Sequence, residues 1–534
     1  MENKLENVPG KQLIKNSALI LFNTGFMMLL SWGISIWIAR KLGPSGYGIF
    51  NLVLWLSNTV TWIIGMGLIH AVTKFVAEFK GRNNNASLKP IIFYVLKIEL
   101  IITGFTVLLT FFLKSEIADY FFSPDESLYF FIAALGLIPG IITAVFSAAI
   151  EGIQKFKYFT YANLVITPVS FVSKIAVLLL GKGISGLLIV IVLFSCINAF
   201  FYGYILYREG VITGNNEKLP RDIKKRIISY NKSILAIILC DKIVWDKSEN
   251  FFLGRFCNAI EIGYYNLGYN LTQKFMSILP SAFWKVLFPK MSSYCGSGNK
   301  EKMKRLFYIS IRYLAFFSFP VGTAGIIFSH QLILHLYGTD FAGAQKVLQI
   351  IFFSSIFSSL ANPGSAILYG FDKQSFIYKY GMILSIINII MDILLIKPYG
   401  AVGAACCHSI TTILGSVGGL IYTCKTMNLT FPFISILKII CSTIFMASTM
   451  ILMNLQNDSI PGLIVSILAG CLVYITFSLF LTTFETEDSA LLNSIKSVLP
   501  RPLKSLISFF ENLIIRIKRK SPFPISSTKQ FNGL

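Results

Sequence analysis

Charge is what this 534-residue chain has least of: Asp, Glu, Lys and Arg together make up 13%, where soluble globular chains carry about 25%. With 54% hydrophobic residues beside that shortage, a soluble domain and a disordered segment are both excluded. Paired chemistry is also missing. The nine cysteines form no CxxC and no Cys/His pair at metal-ligand spacing, which excludes a zinc site and a disulfide framework. Cys406 and Cys407 read as small core- or lipid-facing hydrophobes. The four histidines, His70, His330, His335 and His408, stand singly or near the ends of apolar runs and read as structural. There is no Ser/His/Asp grouping, and no Gly-rich loop ends in Lys-Ser/Thr. ATP hydrolysis and a bound cofactor are therefore not expected, and neither is an enzyme. Met1 to Lys15 is polar and basic, and the apolar run after it is too long for a cleavable signal.

What the chain does have is apolar runs of about 20 residues, the length that crosses a bilayer. Fourteen can be placed, from 16–39 to 460–483. If the N-terminus is cytoplasmic, the even-numbered loops and the termini hold about 30 Lys and Arg residues, a strong positive-inside bias. The odd-numbered loops hold six: Arg40, Lys41, Lys114, Lys182, Arg255 and Lys397. The net charge of +22 is thus topogenic, and no basic patch is interleaved with stacking aromatics, so nucleic acid is not a partner. The expectation is an all-α polytopic protein of the cytoplasmic (cell) membrane, with both termini cytoplasmic.

The chain also repeats itself. Gly46 returns as Gly263, Gly152 with Lys155 as Gly370 with Lys373, and Gly183-Ile-Ser-Gly186 as Gly400-Ala-Val-Gly403, at offsets of 217 or 218. Each copy holds six spans, an even number, so the two bundles point the same way and substrate should sit between them. The expected organisation is a six-helix bundle over 1–215, a second over 216–428, two extra transmembrane helices over 429–484, and a basic tail over 485–534. The tail's segment Leu503 to Ile517 has the spacing of an amphipathic surface helix.

The seventh span is the exception to the shortage of charge. Asp241, Lys242, Asp246, Lys247 and Glu249 all lie inside the apolar run Ile234 to Leu253. Each would cost roughly 2.5–3.5 kcal/mol facing lipid. At 100° per residue Lys242, Asp246 and Glu249 share one stripe, with Asp241 beside it. Such a stripe needs a hydrated cavity or partners from a neighbouring bundle. Thr24 to Trp32, its counterpart in the first span, carries no charge.

Four stretches give the chain a likeness. Leu42-Gly-Pro-Ser-Gly-Tyr-Gly48, Phe75-Val-Ala-Glu78, Glu249-Asn-Phe-Phe-Leu-Gly254 and Glu261-Ile-Gly-Tyr-Tyr265 resemble the polysaccharide-unit (O-antigen type) flippases of the multidrug/oligosaccharidyl-lipid/polysaccharide exporter superfamily. The resemblance covers about residues 10–485. It implies an inverted-V transporter that moves a polyprenyl-diphosphate-linked oligosaccharide to the outer leaflet. The partners it implies are membrane lipids and a polysaccharide polymerase with other assembly proteins. Within the family's cavity Glu249 is the position that matches best.

A diphosphate crossing hydrocarbon needs cationic contacts. Lys97, Lys174, Lys274, Arg312 and Lys242 are the candidates for binding it. Asp246, Glu249, Asp392 and Asp241 are the candidates for a coupling proton or Na⁺, or for counter-charge. Lys97 and Arg312 follow Phe93-Tyr94 and Phe307-Tyr308 and suggest a pair, one from each bundle, although side chains so near a span end can equally snorkel to headgroups. Two rivals remain. A cation-drug exporter of the same superfamily would favour carboxylates over these cations. A membrane glycosyltransferase or polymerase would need a large polar outer loop, and the odd-numbered loops here run to about fifteen residues at most.

Overall fold

In lipid every backbone N–H and C=O must be satisfied within the segment, so even runs rich in Ile, Val, Phe and Thr, poor helix formers in water, become helices. The computed structural model describes residues 9–65, 67–82, 84–122, 124–155, 157–213, 219–231, 248–278, 280–281, 297–371, 373–454 and 459–481, with positions 287, 291 and 294. The expected tail helix lies outside the described residues. The named helices are α1 (Pro9–Ile64), α2 (Leu68–Gly81), α3 (Leu88–Phe121), α4 (Ser127–Leu135), α5 (Leu137–Gly152), α6 (Lys157–Leu179), α7 (Gly183–Arg208), α8 (Glu249–Phe256), α9 (Ala259–Met276), α10 (Lys300–Ile327), α11 (Ser329–Leu336), α12 (Ala344–Gly370), α13 (Gln374–Met427), α14 (Phe433–Asn454) and α15 (Ile460–Phe480). Among the described residues there is no strand. Among the described residues, ten segments are long and apolar enough to cross a membrane. The fold is that of an all-α polytopic membrane protein.

Two of the longest helices are each two helices joined at a glycine. α1 breaks at Gly43 (φ 67°) and α13 at Gly400 (φ 54°), a left-handed conformation that a side chain would strain. Pro44 follows the first break, where a missing N–H costs nothing at the start of a new helix.

The internal repeat is visible in the backbone. Gly183 and Gly400 adopt the same φ, 55° and 54°. The turns after the fourth and tenth expected spans close alike, Lys155 N–H donating to Ile150 O and Lys373 N–H to Leu368 O. The turns at Val211 and Leu429 do so again, onto Leu206 O and Cys424 O. Corresponding turns in the two copies thus keep one geometry while their sequences diverge.

Contacts group the chain into two compact units. The first comprises Met1–Lys274, Leu332–Ile351 and Gln374–Gly415. Its main apolar core joins α2, α3, α5 and α7 through Phe75, Ile92, Ile141, Ile150 and Leu206, all buried. The second comprises Phe275–Gln331, Phe352–Lys373 and Ser416–Leu534. Its core is built on Phe307, Ile311 and Leu314 of α10 with Ile367 of α12 and Ile439 of α14.

Within the first unit the motif Glu261-Ile-Gly-Tyr-Tyr265 has a structural task. Asn258 caps α9, its Oδ1 accepting the Glu261 N–H at 3.1 Å. The Glu261 carboxylate then reaches across to accept the N–H of Ala401 at 2.7 Å, just past the break at Gly400. A carboxylate there meets an orphan donor and the positive end of a new helix. Glu261→Ala is expected to lower stability by about 1–2 kcal/mol, read as an earlier midpoint in thermal unfolding of the detergent-purified protein.

Candidate functional site

Four helical segments of the first unit converge on one buried polar cluster. α8 contributes Glu249 and Asn250 at its start, α9 contributes Tyr265, Asn266 and Tyr269, and α13 contributes Asn388 and Asp392 before its break and His408 and Thr411 after it. Asn388 and Asp392 are four residues apart and so share one helix face. Glu249 is 2% exposed and Asp392 fully buried.

The connections run through Asp392. Its Oδ2 accepts from Ser248 Oγ at 3.2 Å and from Asn388 Nδ2 at 3.0 Å. The Asn388 amide also donates to Ser248 Oγ at 3.0 Å, and its carbonyl accepts from Thr411 Oγ1 at 2.8 Å. Asn266 donates to Asn250 Oδ1 at 2.7 Å. Glu249 Oε1 lies 3.7 Å from His408 Nδ1, and the His408 ring packs edge-on against Tyr269, 5.1 Å between centroids. Asp392 Oδ1 and Glu249 Oε2 are buried with no partner at full hydrogen-bond geometry, and the Cys407 thiol and the Tyr265 hydroxyl lie beside the two carboxylates.

Two carboxylates with unused oxygens in a buried site are costly unless a cation or a proton joins them. The donors on hand are carboxylate, amide and hydroxyl oxygens. Among the described residues no three His, Cys, Asp or Glu side chains gather as a transition-metal site would require. Hard oxygen donors suit Na⁺ or a proton, and Asp392, Asn388, Ser248 and Thr411 are the residues that would hold it.

The cluster belongs to one repeat only. At an offset of 217 the first repeat has Trp32, Phe171, Ile175, Ile191 and Phe194 where the second has Glu249, Asn388, Asp392, His408 and Thr411. These five polar members are replaced by apolar ones, while Ser248 keeps a serine, Ser31, at its matching place. Beside Ile175 stands Lys174, half-buried on α6 with its ammonium 5.6 Å from the Phe171 ring.

The remaining candidates are scattered. Asp241, Lys242 and Asp246 lie outside the described residues. Lys97 is exposed on α3. Lys274 is half-buried at the end of α9 and donates to Ser31 Oγ on α1 at 3.4 Å. Arg312, in the second unit, is 4% exposed on α10, its guanidinium 5.8 Å from the Tyr308 ring. Among the described candidates, Glu249 and Asp392 are thus the two that share a site. Sequence reasoning passed over His408, read as structural, and over Asn388 and Thr411. The available signal was the polar residue four positions before an isolated buried Asp.

Membrane-crossing helices in two copies of one scaffold, with a buried hydrogen-bonded polar cluster in the second copy that the first lacks, mark a membrane transporter. Residues 37–346 match the family described as "Polysaccharide biosynthesis protein", and residues 248–492 match "Lipid II flippase MurJ". The chain belongs to the polysaccharide biosynthesis protein family, and through it to the multidrug/oligosaccharidyl-lipid/polysaccharide exporter superfamily. It is similar to the "Putative O-antigen transporter" of Shigella flexneri, at 22% identity over 76% of this chain and 96% of that one. It is also similar to the "Probable low-salt glycan biosynthesis flippase Agl15" of Haloferax volcanii, at 22% identity over 86% and 93%. Among solved structures its fold is like that of the lipid II flippase MurJ in an inward closed conformation. That match has a TM-score of 0.71 at 18% identity and covers 86% of this chain and 97% of that one.

Proposed function

We propose that the chain is a secondary-type flippase. It carries a polyprenyl-diphosphate-linked oligosaccharide from the cytoplasmic to the outer leaflet of the cytoplasmic membrane, both termini being cytoplasmic, in support of polysaccharide assembly. A proton or Na⁺ gradient drives it through the Asp392 cluster. The halves over 1–215 and 216–428 act as the two moving bundles.

The observation that carries this reading is the asymmetry of the repeat. The second copy holds a buried anionic cluster suited to a coupling cation, and the first holds Lys174 near the matching place, suited to a diphosphate. The names of the relatives, an O-antigen transporter and a glycan-biosynthesis flippase, support the same cargo. Lys274 and Arg312 serve as further phosphate contacts, Arg312 as the better bidentate partner. A polymerase that consumes the delivered unit is the expected functional partner. A drug-cation exporter fits less well, because its cargo would be repelled by these side chains.

The test is transport by the purified protein in proteoliposomes. A fluorescent polyprenyl-diphosphate oligosaccharide is supplied in one leaflet, and its arrival in the other is read with a membrane-impermeant glycosidase. Wild type should move it faster than protein-free vesicles when a Na⁺ or proton gradient is applied. Lys174→Ala should slow it by about tenfold or more, the equivalent of one charge-assisted contact. No movement by wild type under either gradient would end this assignment.

A further inference from the structure

Where α1 gives way to α2, the first unit holds a small cavity of about 230 Å³ that shares no residue with the ion cluster. Asn58, Thr61, Trp62 and Gly65 line it from the end of α1, and Ile69 and His70 from α2. The spacing i, i+3, i+4, i+7 puts the first four on one helix face. The span breaks beside them at Gly67, whose φ of 74° favours glycine. A side chain there would also meet Asn231 Oδ1. Irregular backbone at membrane depth is tolerated where it is buried in protein or lines a water-filled cavity.

Depth and exposure show that the cavity is wet. No Asp, Glu, Lys or Arg falls between Lys41 and Lys74, and Asn58 stands halfway, 17 residues from one and 16 from the other. Asn58 is exposed, and among the described residues nothing hydrogen-bonds its amide. A free amide facing hydrocarbon would be costly, so water reaches it. The scaffold does not require these side chains. At the offset of 217 the second copy has Phe275, Ile278 and Leu287 where the first has Asn58, Thr61 and His70. The same span is thus built without them, and a ligand is what they answer to.

The chemistry of the walls narrows the choice. Among the described residues they hold one titratable side chain, His70, and no carboxylate, ammonium or guanidinium. The first charged residue past the cavity, Lys74, lies one turn beyond His70 with its ammonium 3.9 Å from the Tyr230 ring. Neither a phosphate nor a drug cation finds a partner in such walls. Thr61 gives its hydroxyl proton to Ser57 O at 2.8 Å and offers a methyl group. An indole, an imidazole and an amide that both donates and accepts complete the set. A sugar ring matches it, since its C–H face packs on an aromatic ring and its hydroxyls pair with amide and imidazole. The volume falls below the roughly 300–1,000 Å³ of a drug-sized site, so one ring enters and not a chain.

We propose that this cavity binds one neutral sugar of the cargo's head group, with Trp62 against the ring and Asn58 and His70 on its hydroxyls. This deepens the flippase reading and rests on it for the cargo. Selecting a finished unit over the bare carrier lipid requires a contact that only the sugar makes. Asn58 and Trp62 supply that contact, and they are specificity residues. The two copies of the scaffold then divide the work, the second holding the coupling cation and the first reading the sugar.

The experiment uses full-length protein in nanodiscs with fluorotryptophan in place of its six tryptophans. Trp62→Phe identifies the fluorine signal of Trp62. The probes are the methyl glycosides of glucose, galactose, rhamnose and N-acetylglucosamine. At least one of them should move that signal saturably, and Asn58→Leu should weaken its binding by about tenfold. Methyl glucuronide, which adds a carboxylate, should bind more weakly than methyl glucoside. A signal that none of the four moves, or tighter binding of the glucuronide, would overturn the proposal. In proteoliposomes Asn58→Leu should slow the polyprenyl-diphosphate oligosaccharide by about tenfold. It should leave bare polyprenyl diphosphate, read with an impermeant phosphatase, at the wild-type rate. Equal slowing of both lipids would make Asn58 a structural residue and end the sugar assignment. The two readings fail separately. Transport of the oligosaccharide lipid with no sugar bound at Trp62 removes the cavity alone. Sugar binding by a wild type that moves neither lipid removes the flippase reading and leaves the sugar site.

Discussion

Asp392→Asn will abolish cation-dependent stabilisation of the purified protein and gradient-driven export, and it will leave the fold intact. The substitution changes no volume. The amide oxygen can take over the bonds that Asp392 Oδ2 accepts from Ser248 and Asn388 at 3.2 and 3.0 Å. The other atom, Oδ1, is buried with no partner at full hydrogen-bond geometry, and in the variant it becomes an amide NH₂ that no cation will bind. Leaving a neutral donor unsatisfied costs about 1–3 kcal/mol, whereas an unpaired buried carboxylate costs more. Without added cation the variant should therefore melt no earlier than wild type. Titrating Na⁺ into wild type should raise the melting temperature, since a ligand at 100 times its Kd stabilises the folded state by about 2.7 kcal/mol. The variant should show no such rise. If acid and not Na⁺ produces the rise in wild type, the coupling ion is the proton. Ion-driven export by Asp392→Asn at the wild-type rate would remove the cluster from the mechanism.

Much of the scaffold could be read in the residues themselves, and the reason is physical. A bilayer leaves an apolar segment one conformation, so the runs at 90–113 and 460–483 coincide with α3 and α15. The glycines at 183 and 400 were legible as a repeat because a left-handed turn has few alternatives to Gly. The site was harder. Glu249 stood out as a charge in an apolar run, but its partner His408 lies 159 residues further on, and no local pattern announces a contact at that separation. Lys97 and Arg312 show how helical phase misleads. Lys97 follows Tyr94 by three residues and Arg312 follows Tyr308 by four, and one residue is 100° of rotation. The first is accordingly exposed and the second 4% exposed. Glu99, two residues from Lys97, is the fully buried charge on α3, with neither oxygen partnered.

Gly263→Val should have the other large effect, because at this position the obstacle is backbone and cannot swing away. Where α9 crosses the second half of α1, a Cβ on Gly263 would lie 2.2 Å from Pro44 O, and one on Gly48 would lie 1.8 Å from Ala259 O. Small residues allow such approach in membranes, where packing and not water drives helices together. The same end of α1 is tied down by Arg40, whose Nε donates to Leu336 O at 2.7 Å, and by Tyr47, edge-on to Phe341 at 6.1 Å. Overpacking of ordinary cores costs about 1–3 kcal/mol, and a clash with the backbone of α1 at Pro44 and Gly48 belongs at the upper end. Since each 1.4 kcal/mol is about tenfold in an equilibrium, the crossing would open in most molecules. A cysteine placed at Tyr47 should then react with a water-soluble maleimide roughly a hundredfold faster than in the Gly263 protein, and export should fall with it. Gly104→Ala provides the contrast. It has nothing within 4 Å of the new methyl and lies in a helix, where Ala is favoured by about 0.5–1 kcal/mol. That protein should export normally and melt slightly later. Were Gly263→Val to export at the wild-type rate, contact between α1 and α9 would have no part in the transport cycle.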